Sequence, residues 1–192
     1  MKTESETKHD RVPSEAECRL LIAEHGMLPN IVEHSEQVMR VAASIADDLK
    51  DGTTVDRDLV IASALLHDIA KTRSLETRER HDESGGALMR ALGMSRVAEI
   101  VEQHVFLKDF DPDGPLLEKE IVYYADKRVM HDVVVTLDER VADLVGRYGT
   151  TPERVTLIRK NLEYARAVED KIARFMRTGT RVVFGLTERG DG

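Results

Sequence analysis

Four times in this chain a histidine is followed directly by an aspartate: His9-Asp10, His67-Asp68, His81-Asp82 and His131-Asp132. Such a pair offers a neutral nitrogen and an anionic oxygen, donors that suit a divalent cation. The doublet alone says little, because four of them cannot all be sites. His67-Asp68 differs in its setting. It emerges from Leu59, Val60, Ile61, Ala62, Leu65 and Leu66, the most apolar stretch of the chain. A carboxylate is costly to bury there unless it is paired or bound to a cation. Neighbouring helical residues point about 100° apart, so both reach one ion only from a helix edge. Further ligands must come from other segments.

Candidates are ionisable residues that interrupt an apolar stripe. His34 precedes Val38 and Val41, His81 precedes Gly85, Leu88 and Leu92, His104 follows Val97, Ile100 and Val101, and Asp126 shares a face with Val122 and Val129. Singly, each reads more readily as a core histidine bonded to backbone or as a capping aspartate than as a ligand. Jointly the reading changes. Four histidines and two aspartates facing inward would need many buried partners, whereas metal ions satisfy them together.

Helices must position these residues. Ser14 and Glu17 form a capping box for a first helix that reaches about His25 and is broken by Gly26 and Pro29. Helical spacing of Ile31, His34, Val38, Val41, Ile45 and Leu49 predicts a second helix from Asn30 to about Lys50. Asp56 caps a third, apolar on most sides and therefore central. Thr72 to Arg80 reads as a loop, and His81 or Asp82 opens a helix to Leu92 that stops at Gly93. Ser95 opens the helix that carries His104, and a helix from about Leu116 to Val129 carries Asp126. Val133 to Val135 is β-prone but too short to build a sheet alone. Thr136 and Glu139 form another capping box for a helix to Tyr148, and Thr151-Pro152 opens a long charged helix to about Met176. The fold class is all-α. Residues 1–12 read as a disordered arm, 13–150 as the domain, and 151–192 as a helix and tail that pack on the domain or dimerise it.

The order His34, then His67-Asp68, then Asp126 resembles the HD-domain superfamily of metal-dependent phosphohydrolases, over about Asn30 to Asp132. The segments HDESGGALMRALG, VEQHVFL and LLEKEIVYYADKRV look most like the bacterial group that includes symmetrical dinucleoside-tetraphosphate hydrolases. The resemblance implies an HD-domain helical bundle in which His34, His67, Asp68 and Asp126 hold one metal. It also implies that Asp68 bridges to a second metal held by His81 and His104. Two divalent ions against two carboxylates leave net positive charge for phosphate oxygens, and a metal-bound hydroxide can attack phosphorus in line. All-N/O ligation suits Fe, Mn, Co, Ni, Zn or Mg without choosing among them. Asp68 is then the central catalytic residue. Lys71 either contacts a substrate phosphate and offsets leaving-group charge, or is a solvated helix-end lysine. Lys127 and Arg128 read as structural or solvated, and His131 carries little weight.

The implied substrate is a nucleotide or small phosphorylated metabolite, with a dinucleoside polyphosphate favoured and a nucleoside monophosphate or cyclic (di)nucleotide as alternatives. A net charge of −8 and no Lys/Arg block argue against a nucleic-acid polymer or anionic membrane as partner. The single Cys18 and the polar start MKTESETKHDR make a cytoplasmic location the expectation. A homodimer through the long helix is an option. Aromatics are 4% of residues, so base stacking would fall to Tyr123, Tyr124, Phe106 or Phe110. Asp109, Asp111, Asp113, Gly114 and Glu120 also match EF-hand calcium spacing, against which stand Pro112 and Pro115. Rivals from other classes are a regulatory module that binds metal or nucleotide without turnover, and a helical scaffold with buried histidines.

Overall fold

The computed structural model describes residues 10–180. The helices are α1 (Glu15–Glu24), α2 (Pro29–Asp47), α3 (Arg57–Leu66), α4 (Lys71–Thr77), α5 (His81–Ala91), α6 (Ser95–Val101), α7 (Glu118–Lys127), α8 (Leu137–Tyr148) and α9 (Pro152–Phe175). A two-residue antiparallel ribbon, β1 (Val129–Met130) with β2 (Val133–Val134), separates α7 from α8. The all-α fold class therefore holds. The β-prone patch finds its partner in Val129-Met130, turning at His131 with φ +57°.

Helix α3 is the centre. Every residue from Leu59 to Leu66 is buried, and α1, α2, α6 and α7 pack around it. Complete burial follows from having no polar face to leave outside. Asp56 caps it by accepting from Leu59 N at 3.1 Å. The capping boxes at Ser14-Glu17 and Thr136-Glu139 form as their spacing predicts.

Three expectations need correction. Thr72 to Arg80 is not a plain loop, because α4 occupies its first half and ends where Arg78 turns left-handed at φ +64°. Helix α2 stops at Asp47, and Leu49 instead bridges to Met176 at the end of α9. Of the supposed disordered arm, residues 1–9 lie outside the described residues, but Asp10 caps α6 by accepting from Ser95 N at 2.6 Å. The tail beyond residue 180 also lies outside them.

Helix α9 packs on α7 and α8. Its Lys171, 1% exposed, donates to Glu120 Oε1 and to the Asp111 carbonyl, each at 2.7 Å. Glu120 also accepts from Leu117 N at 3.0 Å. Its carboxylate is thus committed to closing α7 and holding α9, which removes the last ligand of the EF-hand pattern. The Asp109 to Pro115 segment is pinned to α9 and lies outside the candidate site. Helix α8 is less embedded: Leu137 is its one fully buried residue.

Candidate metal centre

His67 and Asp68 do not lie inside α3. The helix ends at Leu66, and Ile69 N to Leu66 O (3.0 Å) and Lys71 N to Asp68 O (2.9 Å) close two tight turns before α4 begins. This departure answers the problem of adjacent residues diverging on a helix, since both side chains now meet at one point. His104 is displaced likewise, three residues past the end of α6 at Val101. His34 stands on α2, His81 opens α5, and Asp126 lies in the last turn of α7.

Three of the four rings are held by backbone. His67 Nδ1 donates to Ala64 O at 2.8 Å, His104 Nδ1 to Val101 O at 2.7 Å, and His34 Nδ1 to His131 O at 2.8 Å. A carbonyl only accepts, so in the neutral ring Nδ1 carries the proton and Nε2 presents its lone pair. Those Nε2 atoms converge on the carboxylates. His34 Nε2 is 3.1 Å and His67 Nε2 3.7 Å from Asp126 Oδ1. His67 Nε2 is 3.4 Å from Asp68 Oδ2, while His81 and His104 Nε2 lie 3.3 and 3.4 Å from Asp68 Oδ1.

Two observations test whether this donor set fits a cation. His67 Nε2 and Asp68 Oδ1 are buried without a hydrogen-bond partner. His81 Nε2 and His104 Nε2 lie 3.2 Å apart, where two lone pairs repel unless a proton or metal ion lies between them. The donors divide into two groups, His34 with His67 and Asp68, and Asp68 with His81 and His104, each within 4.8 Å. Asp68 belongs to both. The set could therefore hold one or two divalent ions through N and O donors.

Electrostatics prepare the carboxylates. Burial alone would raise the Asp68 pKa, but His67 and Lys71 overcome it and hold the carboxyl well below the usual range. Asp126 follows the same pattern, with burial opposed by Lys127, His34 and His67. Burial pushes His104 down, toward the neutral ligand form. Lys71 does not end a helix: it begins α4, its side chain is 37% exposed, and its Nζ donates to Asp68 Oδ2 at 2.6 Å.

Other residues matter more than their sequence setting suggests. Lys127 is buried, donating to Asp126 Oδ2 at 2.7 Å and to His104 O at 2.8 Å, so it ties two parts of the cluster together. The weak candidate His131 contributes through its carbonyl. Buried Arg128 braces the ribbon through Val135 O at 2.6 Å. Asp82 is bound by Arg80 at 2.6 Å, which accounts for the aspartate of the His81-Asp82 doublet not joining its histidine in the cluster. A cavity of about 440 Å³ opens over the cluster, also lined by Phe106, Arg140, Arg147 and Tyr148. Tyr123 and Tyr124 are buried away from it, and Phe110 packs on Tyr164, so Phe106 is the stacking candidate that reaches the cavity. The spacing of Arg140, Leu144 and Arg147 on one face of α8 was a readable signal for that wall.

A helical bundle that brings His and Asp donors from separate helices and turns to one buried point defines a metal-binding helical class. The HD domain model matches residues 31–131, and the chain belongs to the HD domain family. It is 29% identical to a tRNA (cytidine(56)-2'-O)-methyltransferase of Picrophilus torridus, covering 67% of this chain and 40% of that protein. A protein of the same name from Thermoplasma volcanium is 34% identical over 49% of this chain and 26% of its own length. An uncharacterized protein of Methanocaldococcus jannaschii is 30% identical over 70% of this chain and 87% of its own length. The chain thus spans well under half of the two methyltransferases. None of these three carries the dinucleoside-tetraphosphate hydrolase name that the motifs resemble. No solved structure matches. Among the described residues no helix is long and apolar enough to cross a membrane.

Proposed function

We propose that this protein is a metal-dependent phosphohydrolase acting on a nucleotide or other small phosphorylated metabolite. One observation carries the reading: the imidazoles of His34, His67, His81 and His104 gather around Asp68 in two donor groups, Asp126 joins the first through His34 and His67, and three of the rings have Nδ1 tied to backbone. His34, His67, Asp68 and Asp126 would hold one ion, and His81 and His104 with Asp68 a second. Divalent ions bound there supply Lewis acidity toward a phosphoryl oxygen and an acidified water.

The rest falls to the chain itself. Backbone carbonyls fix three rings, so little reorganisation is needed at the site. Lys71 keeps two ammonium N–H groups beyond the one on Asp68 and lines the cavity, which suits it to a phosphoryl oxygen. Phe106 and Tyr148, 43% and 52% exposed, offer ring faces to a base at the mouth. The cavity volume lies within the range of small-molecule sites, about 300–1,000 Å³. The finer assignment to dinucleoside polyphosphates is supported by the motif resemblance.

The relatives named as tRNA methyltransferases motivate a second reading, in which the phosphate acted on belongs to an RNA. The acidic net charge of −8 weighs against it. Phosphate release should be measured over nucleotides, dinucleoside polyphosphates, sugar phosphates and RNA bearing a terminal phosphate, with Mn, Fe, Co, Ni, Zn and Mg. Turnover of a small ester or anhydride that is lost in Asp68→Ala supports the proposal. Full turnover in that variant, or a purified protein that binds no metal, overturns it.

A further inference from the structure

Helix α8 places Arg140 and Arg147 along the wall of the cavity that contains the His/Asp cluster, and Asp143 of the same helix lies between them. Arg140 Nη1 donates to Asp143 Oδ2 at 3.0 Å, and Arg147 Nη2 donates to the same oxygen at 2.5 Å. On an ordinary helix surface this would be a solvated ion-pair ladder of little consequence. Here Arg140 is turned inward, and Arg147, 41% exposed, stands on the cavity lining beside it. The Arg140 side chain is 12% exposed, and its Nε is buried without a hydrogen-bond partner. A buried donor left unpaired is unfavourable unless a bound group completes it.

The charges point the same way. Lys71 is engaged with Asp68, and Lys127 with Asp126. On α8 one carboxylate faces two guanidiniums, leaving a net positive wall whose planar N–H forks suit phosphoryl oxygens. Asp143 also holds both forks in place without filling them.

We propose that Arg140 and Arg147 form a second anion subsite, so that the substrate is a phosphoric anhydride with one phosphoryl group at the His/Asp cluster and the next on α8. This rests on the phosphohydrolase reading and narrows it against monophosphate esters. In the reaction, the oxygen of water bonds to the phosphorus at the cluster as the bridging P–O bond breaks. Its electron pair leaves with the phosphate held by the two arginines, and the proton lost by water passes to solvent.

The test is calorimetry on metal-loaded full-length protein with three non-hydrolysable probes: methylphosphonate, methylenediphosphonate and phosphonoacetate. Methylenediphosphonate should bind at least about tenfold tighter than methylphosphonate, each charge-assisted pair contributing about a tenfold factor or more. Arg140→Gln with Arg147→Gln should abolish that advantage while methylphosphonate affinity and metal content stay unchanged. Arg147→Gln alone, at a half-exposed position that leaves the fold intact, should remove part of it. Equal binding of methylphosphonate and methylenediphosphonate by the wild type, or an advantage that survives both substitutions, would overturn the subsite, and phosphonoacetate binding as tightly as the diphosphonate would overturn its assignment to a phosphoryl group and with it the anhydride substrate. Those results leave the phosphohydrolase reading standing, since it is judged separately by metal content and by phosphate release in Asp68→Ala.

Discussion

The Nε2 of His34 lies 3.1 Å from Oδ1 of Asp126, although 92 positions separate the two residues. His34 is held from behind by the carbonyl of His131, and Asp126 from its other oxygen by Lys127. Helices α2 and α7 and the β1–β2 turn therefore meet in one contact, with both reactive atoms already aimed at the cluster. Opposed donors fixed from behind in this way favour a cation between them, and the predictions below test that arrangement and the scaffold that supports it.

Asp68 contributes to both donor groups. Asp68→Asn should weaken binding of each ion by about tenfold or more and lower phosphate release by at least about a hundredfold. Elemental analysis after dialysis, beside a turnover assay, checks both. Retention of two equivalents of metal would contradict the shared role.

Lys127→Met removes the cation between Asp126 and the His104 carbonyl. Breaking a buried pair costs about 3–5 kcal/mol. The loss should be larger in chelator-treated protein than in metal-loaded protein, because bound metal also neutralises Asp126. Melting curves with and without chelator compare the two, and an equal drop would mean that Lys127 acts independently of the cluster.

Lys171 and Glu120 are 1% and 0% exposed by side chain, joining α9 to α7 at 2.7 Å. Lys171→Met alone should cost about 3–5 kcal/mol by leaving a buried carboxylate unpaired, whereas Lys171→Met with Glu120→Leu should cost less. Urea unfolding of the two variants distinguishes the outcomes. A double variant less stable than the single would show that packing, not the unpaired charge, dominates.

Burial pushes the Cys18 thiol up to about 12. Native protein should resist alkylation by iodoacetamide at pH 8–9, where unfolded chain reacts readily. In the unfolded chain the thiol ionises near its ordinary value of about 8.5. The native state therefore binds the extra proton between the two values, and the stability from Cys18 is present below that range and lost as pH rises through it. Cys18→Ala should flatten this alkaline decline, which denaturation at several pH values would reveal.

Much of this was legible in the chain. The capping boxes at Ser14 and Thr136 are local patterns, and so is the unbroken apolar run from Leu59 to Leu66 that makes α3 central. The six His and Asp candidates stood out because each interrupts an apolar stripe. Less visible were the helix ends. Periodicity runs past Leu66 and Val101 without a break, yet the chain turns there, and each turn lets an Nδ1 reach the carbonyl three residues back. Between the structural and solvated readings of Lys127 the sequence could not choose, because its neighbours say nothing of the His104 carbonyl that it meets.

The sequence by itself determined which residue types could bind a cation, the helical spacing that carries them and the all-α class, because these depend on side chains a few positions apart. Only the tertiary structure decided that Asp68 faces two donor groups, that Lys127 belongs to the cluster, and that Arg140 and Arg147 line the same cavity as His34. Those relations join residues tens of positions apart through packing around α3. Direction and distance between them exist only after the apolar core has closed.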